Sequence, residues 1–290
     1  MRIDVMEYKP NKNNIIKVVA IVIVVLIVIA FFSILGINCA KKYKQQYKEN
    51  KKTEQIKNSN EENNINDTME NSHINEAKKK TDNIYNKDSK IAYLTFDDGP
   101  SQAVTPFILD VLKKENIKAT FFVLGTNVKN NPEIVRRAYE EGHYIANHGY
   151  SHNYSKIYSS EKKVLEEYNK TEKQIRNAIK NNNYSSNLFR FPGGYEGGKY
   201  EKIKQKAAKL LNKNNIMYVD WNVLTGDSEG ANTKKQILKN VKKHIKNKGN
   251  IVILMHDSSS KILTYETLTD VINYLRKEGY TFDNFYCIMQ

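Results

Sequence analysis

Two short stretches hold residue types that can bind and use a cation. In His148-Gly149-Tyr150-Ser151-His152, two imidazoles stand four positions apart. On one helical turn that spacing stacks them on one face, where both reach a single ion. The chain of 290 residues has only six histidines, so two in one motif point to a shared task. In Thr95-Phe96-Asp97-Asp98-Gly99-Pro100, adjacent aspartates close an apolar run. Their repulsion is costly unless a cation or an arginine relieves it. An Asp-Gly-Pro turn is the plainer reading of the same letters. Taken together, the two motifs offer two imidazoles and a carboxylate. That ligand set is of the catalytic kind and leaves positions for water and substrate. The other aspartate is then free to act as general base.

Such residues need elements that bring them together. From Ile91 onward, short apolar runs alternate with amphipathic stretches. The pattern predicts strands at 91–95, 120–124, 144–146, 188–191, 217–220 and 251–255, and a last short one near 281–285. Helices are predicted over 106–115, 132–141, 160–180, 201–212, 233–246 and 264–278. Thr105 is placed as the N-cap of the first, with Pro106 at its first position, and Gly142 and Gly279 stop two others. Strand–helix alternation over about 200 residues implies parallel strands covered by helices. Asp97 and Asp98, His148 and His152, Arg190, Asp220, Trp221 and Asp227, and His256 all fall at or just beyond strand C-termini. An open sheet does not readily gather so many strand ends, whereas a barrel collects them on one rim. The expected fold is therefore α/β, a distorted (β/α) barrel.

Five motifs occur in order: Thr95–Pro100, His148-x-x-x-His152, Arg190-Phe191-Pro192-Gly193-Gly194, Trp221 with Asp227 six residues on, and Leu254-Met255-His256. In this they resemble the polysaccharide deacetylase family, the NodB-homology domain of carbohydrate esterase family 4. The resemblance spans the whole folded part, residues 89–290. It implies that Asp98, His148 and His152 bind one divalent metal ion, zinc first, with cobalt or another divalent ion as alternatives. It further implies that Asp97 is the general base, held ionised by Arg190, and that His256 is the general acid, kept protonated by Asp227. Trp221 and Leu254 would line the acetyl pocket, and the Gly193 N–H would donate to the oxyanion. The implied reaction is hydrolysis of N-acetyl groups on a cell-wall polysaccharide, N-acetylglucosamine of peptidoglycan foremost, giving acetate, a free amine and resistance to lysozyme. Alternatives are another glycan (chito-oligosaccharide, exopolysaccharide, N-acetylmuramic acid, O-acetyl xylan) or an inert, membrane-tethered wall-binding protein. Two positions depart from the family pattern. Gly149 stands where Ser or Thr usually steadies the loop, and Gly193 stands where many members carry Tyr, with Tyr195 as the expected compensation.

The remainder of the chain sets location. Val18 to Ile37 is free of charge, and twenty apolar residues span roughly 30 Å as a helix, the thickness of a bilayer core. Residues 18–40 are thus expected to form a transmembrane helix after a cytoplasmic tail, 1–17; a cleaved signal peptide is the rival reading. Residues 41–88 contain no Leu, Val, Phe, Trp, Gly or Pro. They cannot bury enough apolar surface to fold and read as a flexible tether. The expected location is the cell membrane, single-pass, with the catalytic domain outside and facing the wall. A net charge of +14 suggests an anionic partner. No basic stripe with interleaved aromatics is present, so no nucleic acid is expected. Cys39 and Cys287 lack CxxC spacing, which supports neither a zinc ribbon nor a disulfide framework. Cys287 is read as a small buried apolar residue, and His143 and His244 as helix-end or surface residues.

Overall fold

The computed structural model describes residues 82–289, together with positions 45, 48, 51, 79 and 80. Contacts divide the chain into Met1–Thr68 and Met69–Gln290, and the site lies wholly in the second unit. Among the described residues no helix is long and apolar enough to cross a membrane; the expected span at 18–40 lies outside them.

The strands are β1 (Ile91–Asp97), β2 (Thr120–Val123), β3 (Tyr144–Asn147), β4 (Leu188–Phe189), β5 (Met217–Tyr218), β6 (Val223–Leu224), β7 (Ile251–His256) and β8 (Thr281–Asp283). Between and after them lie α1 (Thr105–Lys114), α2 (Gly125–Asn130), α3 (Pro132–Glu140), α4 (Tyr154–Ile157), α5 (Glu161–Ile179), α6 (Glu201–Lys213), α7 (Lys234–His244), α8 (Ile262–Lys277) and α9 (Tyr286–Met289). Every strand pairing is parallel, in the order β5-β4-β3-β2-β1-β7-β6. β8 pairs with the first half of β1 and β2 with its second half. No pairing joins β5 to β6 among the described residues, so the sheet is a parallel half-barrel rather than a closed barrel. The reason is local. After β5 the chain is captured by β7, where the Asn222 N–H donates to the Val252 carbonyl (3.1 Å) and the Asn222 side chain accepts from the Val252 N–H (2.8 Å).

Strand period decides which residues reach the site. Along β1, Ala92, Leu94 and Phe96 belong to the large apolar cluster that also contains the α1 and α8 core residues. Tyr93, Thr95 and Asp97 point the other way, and Tyr93 joins an inner cluster with Phe122, Val252 and Phe285. The inner face thus changes from apolar at its base to polar at the strand C-termini.

Several boundaries differ from expectation. Residues 82–88 pack on the domain instead of belonging to the tether. Ile84 is fully buried in the inner cluster, worth about 1.5–3 kcal/mol, and the Asn86 carbonyl accepts the Asn250 N–H. Thr105 is the first residue of α1, not its cap, because its hydroxyl is drawn to the Asp257 carboxylate at 2.6 Å. Helices α2 and α4 and strand β6 lie in stretches too short for periodicity to mark. His143 is buried, not superficial: its Nδ1 accepts the Ala119 N–H at 3.0 Å, and burial pushes its pKa down to about 4. Cys287 is exposed.

Candidate active site

Asp97 and His256 are partners in the β1–β7 register, so both side chains leave the same face at the same level. Arg190, just beyond β4, fills the interior between them and the inner cluster. It is fully buried, with its guanidinium 3.9 Å from the centre of the Phe122 ring. Its Nη1 donates to Asp97 Oδ1 (2.9 Å) and Thr95 Oγ1 (2.7 Å), while Nε and Nη2 donate to the Val219 and Asp220 carbonyls. Burial pushes the Asp97 pKa up, and Arg190 and His256 pull it back only in part. Arg190 therefore orients the carboxylate without by itself holding it in the ordinary range.

Asp98, His148 and His152 converge, each offering one ligand atom within 4.8 Å of the others. Asp98 Oδ1 lies 3.5 Å from His148 Nε2 and 3.3 Å from His152 Nε2. That oxygen is buried and has no hydrogen-bond partner, a costly state that a bound cation would relieve. His148 Nδ1–H donates to the Arg190 carbonyl at 2.9 Å, which fixes the tautomer and aims the free Nε2 at the cradle. Burial lowers the His148 pKa to about 3, so the ring is neutral and able to ligate. The residues fit a divalent ion.

The histidine pair does not sit on a helical turn, as its spacing suggested. It spans a loop, with positive φ at Gly149 (82°) and His152 (53°) and ring centroids 5.3 Å apart. The steadying hydroxyl that Gly149 lacks is replaced from α5. Glu167 Oε2 accepts the N–H groups of Tyr150 and Ser151, each at 2.9 Å, and Oε1 accepts the Ser151 hydroxyl at 3.0 Å. The Asn147 side chain accepts the Gly149 N–H (3.0 Å) and donates to Glu172 (3.1 Å). Motif reading missed Glu167, although a signal existed: Val164, Glu167, Tyr168, Thr171 and Ile175 form the buried stripe of α5, and an acid on such a stripe needs a partner. Glu167→Gln is expected to cost about 1.5–3 kcal/mol of stability in thermal melts. It should also weaken binding of a divalent ion to the cradle, read by competition with a chelator, by about 10- to 100-fold.

On the opposite side, His256 is held by Asp227. Nδ1–H donates to Asp227 Oδ1 (2.9 Å), and the backbone N–H of His256 donates to Oδ2 (2.8 Å). Ser228 Oγ is also 2.9 Å from Nδ1, and Thr264 donates to Asp227 at 2.8 Å. Burial works against the imidazolium, but the Asp227 hydrogen bond and charge overcome it, with help from Asp97 and Asp98. The His256 pKa is raised to about 9. Asp227 is lowered in return, its burial outweighed by His256 and Thr264.

The remaining expected residues flank this centre. Leu254 is buried on the same strand face, one inward position below His256. A Cβ on Gly194 would lie 3.1 Å from the Trp221 ring, which places that ring against the glycine turn. Gly193 has φ 77°, which glycine adopts without strain, and its N–H makes no hydrogen bond to another described residue. Tyr195 does not fill the space at Gly193. Its ring packs on Tyr218 and Phe191, and its N–H donates to Asp220. Asp257 also went unrecognised. Its buried carboxylate abuts Gly99, where any Cβ would collide with it, so it braces the aspartate turn from below.

The family model described as "Polysaccharide deacetylase" matches residues 84–218. A peptidoglycan-N-acetylglucosamine deacetylase of Bacillus cereus is 34% identical over 205 residues, covering 69% of this chain and 71% of its own. Among solved structures, a Streptococcus mutans CE4 esterase superposes with a TM-score of 0.65 at 31% identity, over 72% of this chain and 90% of its own. The catalytic domain of a peptidoglycan N-acetylglucosamine deacetylase from Eubacterium rectale gives 0.61 at 32% identity, over 67% and 87%.

Proposed function

Because the chain belongs to the polysaccharide deacetylase family, a family of hydrolases, we propose that it removes N-acetyl groups from N-acetylglucosamine in peptidoglycan. The observation that carries this reading is a carboxylate and an imidazole side by side on paired strands, suited to accept and to donate a proton. Asp97 is tied to Arg190 and His256 to Asp227, with the Asp98–His148–His152 cradle beside them. The B. cereus and E. rectale proteins supply the substrate by analogy.

Amide hydrolysis needs an activated water, a stabilised oxyanion and a proton for the leaving amine. A divalent ion on Asp98, His148 and His152, zinc being our choice, would acidify water and polarise the carbonyl. Asp97 takes the proton as the water oxygen bonds the acetyl carbon. The free Gly193 N–H donates to the oxygen that gains charge. The C–N bond then breaks as His256, whose Nδ1–H is held by Asp227, delivers its Nε2 proton to nitrogen. Acetate and a glucosamine amine leave.

This division of roles has a pH signature. His256 must be protonated, so kcat/KM should fall as pH rises through about 9. In Asp227→Asn that limb should move down toward the ordinary histidine value of about 6.5. A descending limb in the same place in both proteins would remove His256 as the acid. The same shift affects folding. The His256–Asp227 pair contributes its full stability between the ordinary aspartate value of 3.8 and about pH 6.5; it loses it as pH rises toward 9 and, on the acid side, as Asp227 takes up a proton.

Residues 18–40 as an uncleaved membrane anchor and the tract after them as a tether would place the domain outside the cell, within reach of the wall. Each amine formed would add positive charge to the glycan, and lysozyme would cut it less well. The test is acetate release by the full chain from N-acetylated peptidoglycan and from N-acetylchitotetraose, with and without Zn²⁺ or Co²⁺. Metal-dependent release is expected. A folded, metal-loaded chain that releases no acetate from any glycan would overturn the reading.

A further inference from the structure

Tyr154 opens α4, two residues after His152, and is 41% exposed. The Asn153 side chain caps that helix by accepting the Lys156 N–H at 3.2 Å. The cap fixes where the tyrosine leaves the backbone. Its ring centroid lies 5.3 Å from that of His152, so the phenol stands beside the metal cradle. Its hydroxyl lies over Gly193, only 2.9 Å from the place a Cβ would take there. The phenol thus occupies space that any side chain at 193 would claim.

What sets this hydroxyl apart is an unpartnered tip beside the metal cradle and over the Gly193 turn. Tyr158 donates to the Pro192 carbonyl, Tyr184 to Ile145 and Tyr85 to Asp220. Tyr154 Oη makes no hydrogen bond to another described residue. A phenol poised at a catalytic rim with its polar tip unpaired suits a ligand that arrives later.

We propose that Tyr154 is a substrate-contacting residue that sets specificity for a sugar: its hydroxyl hydrogen-bonds the hydroxyls of the pyranose ring that carries the acetyl group. This rests on the deacetylase reading. The exposure of Tyr154 places it at the rim, where the sugar lies, while Leu254 and Trp221 take the deeper positions next to the acetyl group. Glycine at 193 leaves open the space over which the phenol lies, and it allows the positive φ of its own backbone.

The test compares the full wild-type chain with Tyr154→Phe on N-acetylchitotetraose and on 4-nitrophenyl acetate, an ester with no sugar. We expect kcat/KM on the tetraose to fall about tenfold, the loss of one hydrogen bond, with release from the ester unchanged. A second readout uses no turnover. Trp221 is the one tryptophan of the chain, and its fluorescence reports binding of N-acetylchitotetraose to the chelator-treated, metal-free protein. Tyr154→Phe should weaken that binding by a similar factor. Unchanged values in both assays would make Tyr154 a solvated surface ring. Equal losses on tetraose and ester, with reduced zinc content, would make it a support for His152; either result overturns the proposal. Failure of wild type to release acetate from any glycan would count against the proposed function, and the binding comparison would still decide whether Tyr154 contacts sugar.

Discussion

Asp97→Asn is expected to lower kcat about 10²- to 10⁴-fold, the range for a general base, while the chain stays folded and takes up a divalent ion as wild type does. The amide has the shape of the carboxylate and still offers Arg190 Nη1 an oxygen. It is not basic, and it leaves the buried Arg190 guanidinium without a counter-charge, so the variant should also melt at a lower temperature than wild type. Asp98, His148 and His152 keep their positions because none depends on the charge of Asp97 for its hydrogen bonds. Steady-state kinetics beside bound-metal content and a melting curve would separate the outcomes. Wild-type metal content with lost turnover assigns the proton acceptor. Wild-type metal content with wild-type turnover would move that role elsewhere.

Arg190→Met should have the largest effect on stability. The guanidinium is fully buried and serves Asp97, Thr95 and two carbonyls at once. Methionine refills much of the volume over Phe122 but leaves a buried carboxylate without its counter-charge, at a cost of about 3–5 kcal/mol. Urea denaturation would measure it. The deficit should depend on pH in a definite direction. Burial already raises the Asp97 pKa, and loss of Arg190 raises it further. A carboxyl that holds its proton more tightly when folded makes folding less favourable as pH rises. The gap between variant and wild type should therefore widen above the ordinary aspartate value of 3.8. A gap that is flat across pH would mean that Arg190 acts through packing alone.

The amino-acid sequence exposed this centre unevenly, for physical reasons. Asp97, Arg190 and His256 were legible because each ends an apolar run, and a parallel sheet brings such ends to one rim. The cradle residues were found for a partly mistaken reason. A spacing of four suits a helix, but positive φ at Gly149 and His152 makes a loop that serves the same end. The open edge was not legible, since β4, β5 and β6 have two residues each and carry almost no periodic signal. Glu167 and Asp257 act across long sequence separations through hydrogen bonds and close approach, which local pattern does not report. Ile84 was hidden because one buried isoleucine in a Lys- and Asn-rich tract does not change its average character.

Six consecutive residue pairs join β1 to β7, ending at Asp97↔His256, and the Asp257 N–H extends the ladder to the Asp97 carbonyl at 3.0 Å. Hydrogen-bonded strands stand about 4.7–4.9 Å apart whatever their side chains. The interval between the two proton-handling groups is therefore gauged by peptide geometry and not by the fit of any pocket. A slip of one residue would turn one of the pair out of the face they share, so the interval is kept or lost as a unit. Loops at the rim can differ in length and content, and so in the glycan they admit, without resetting it.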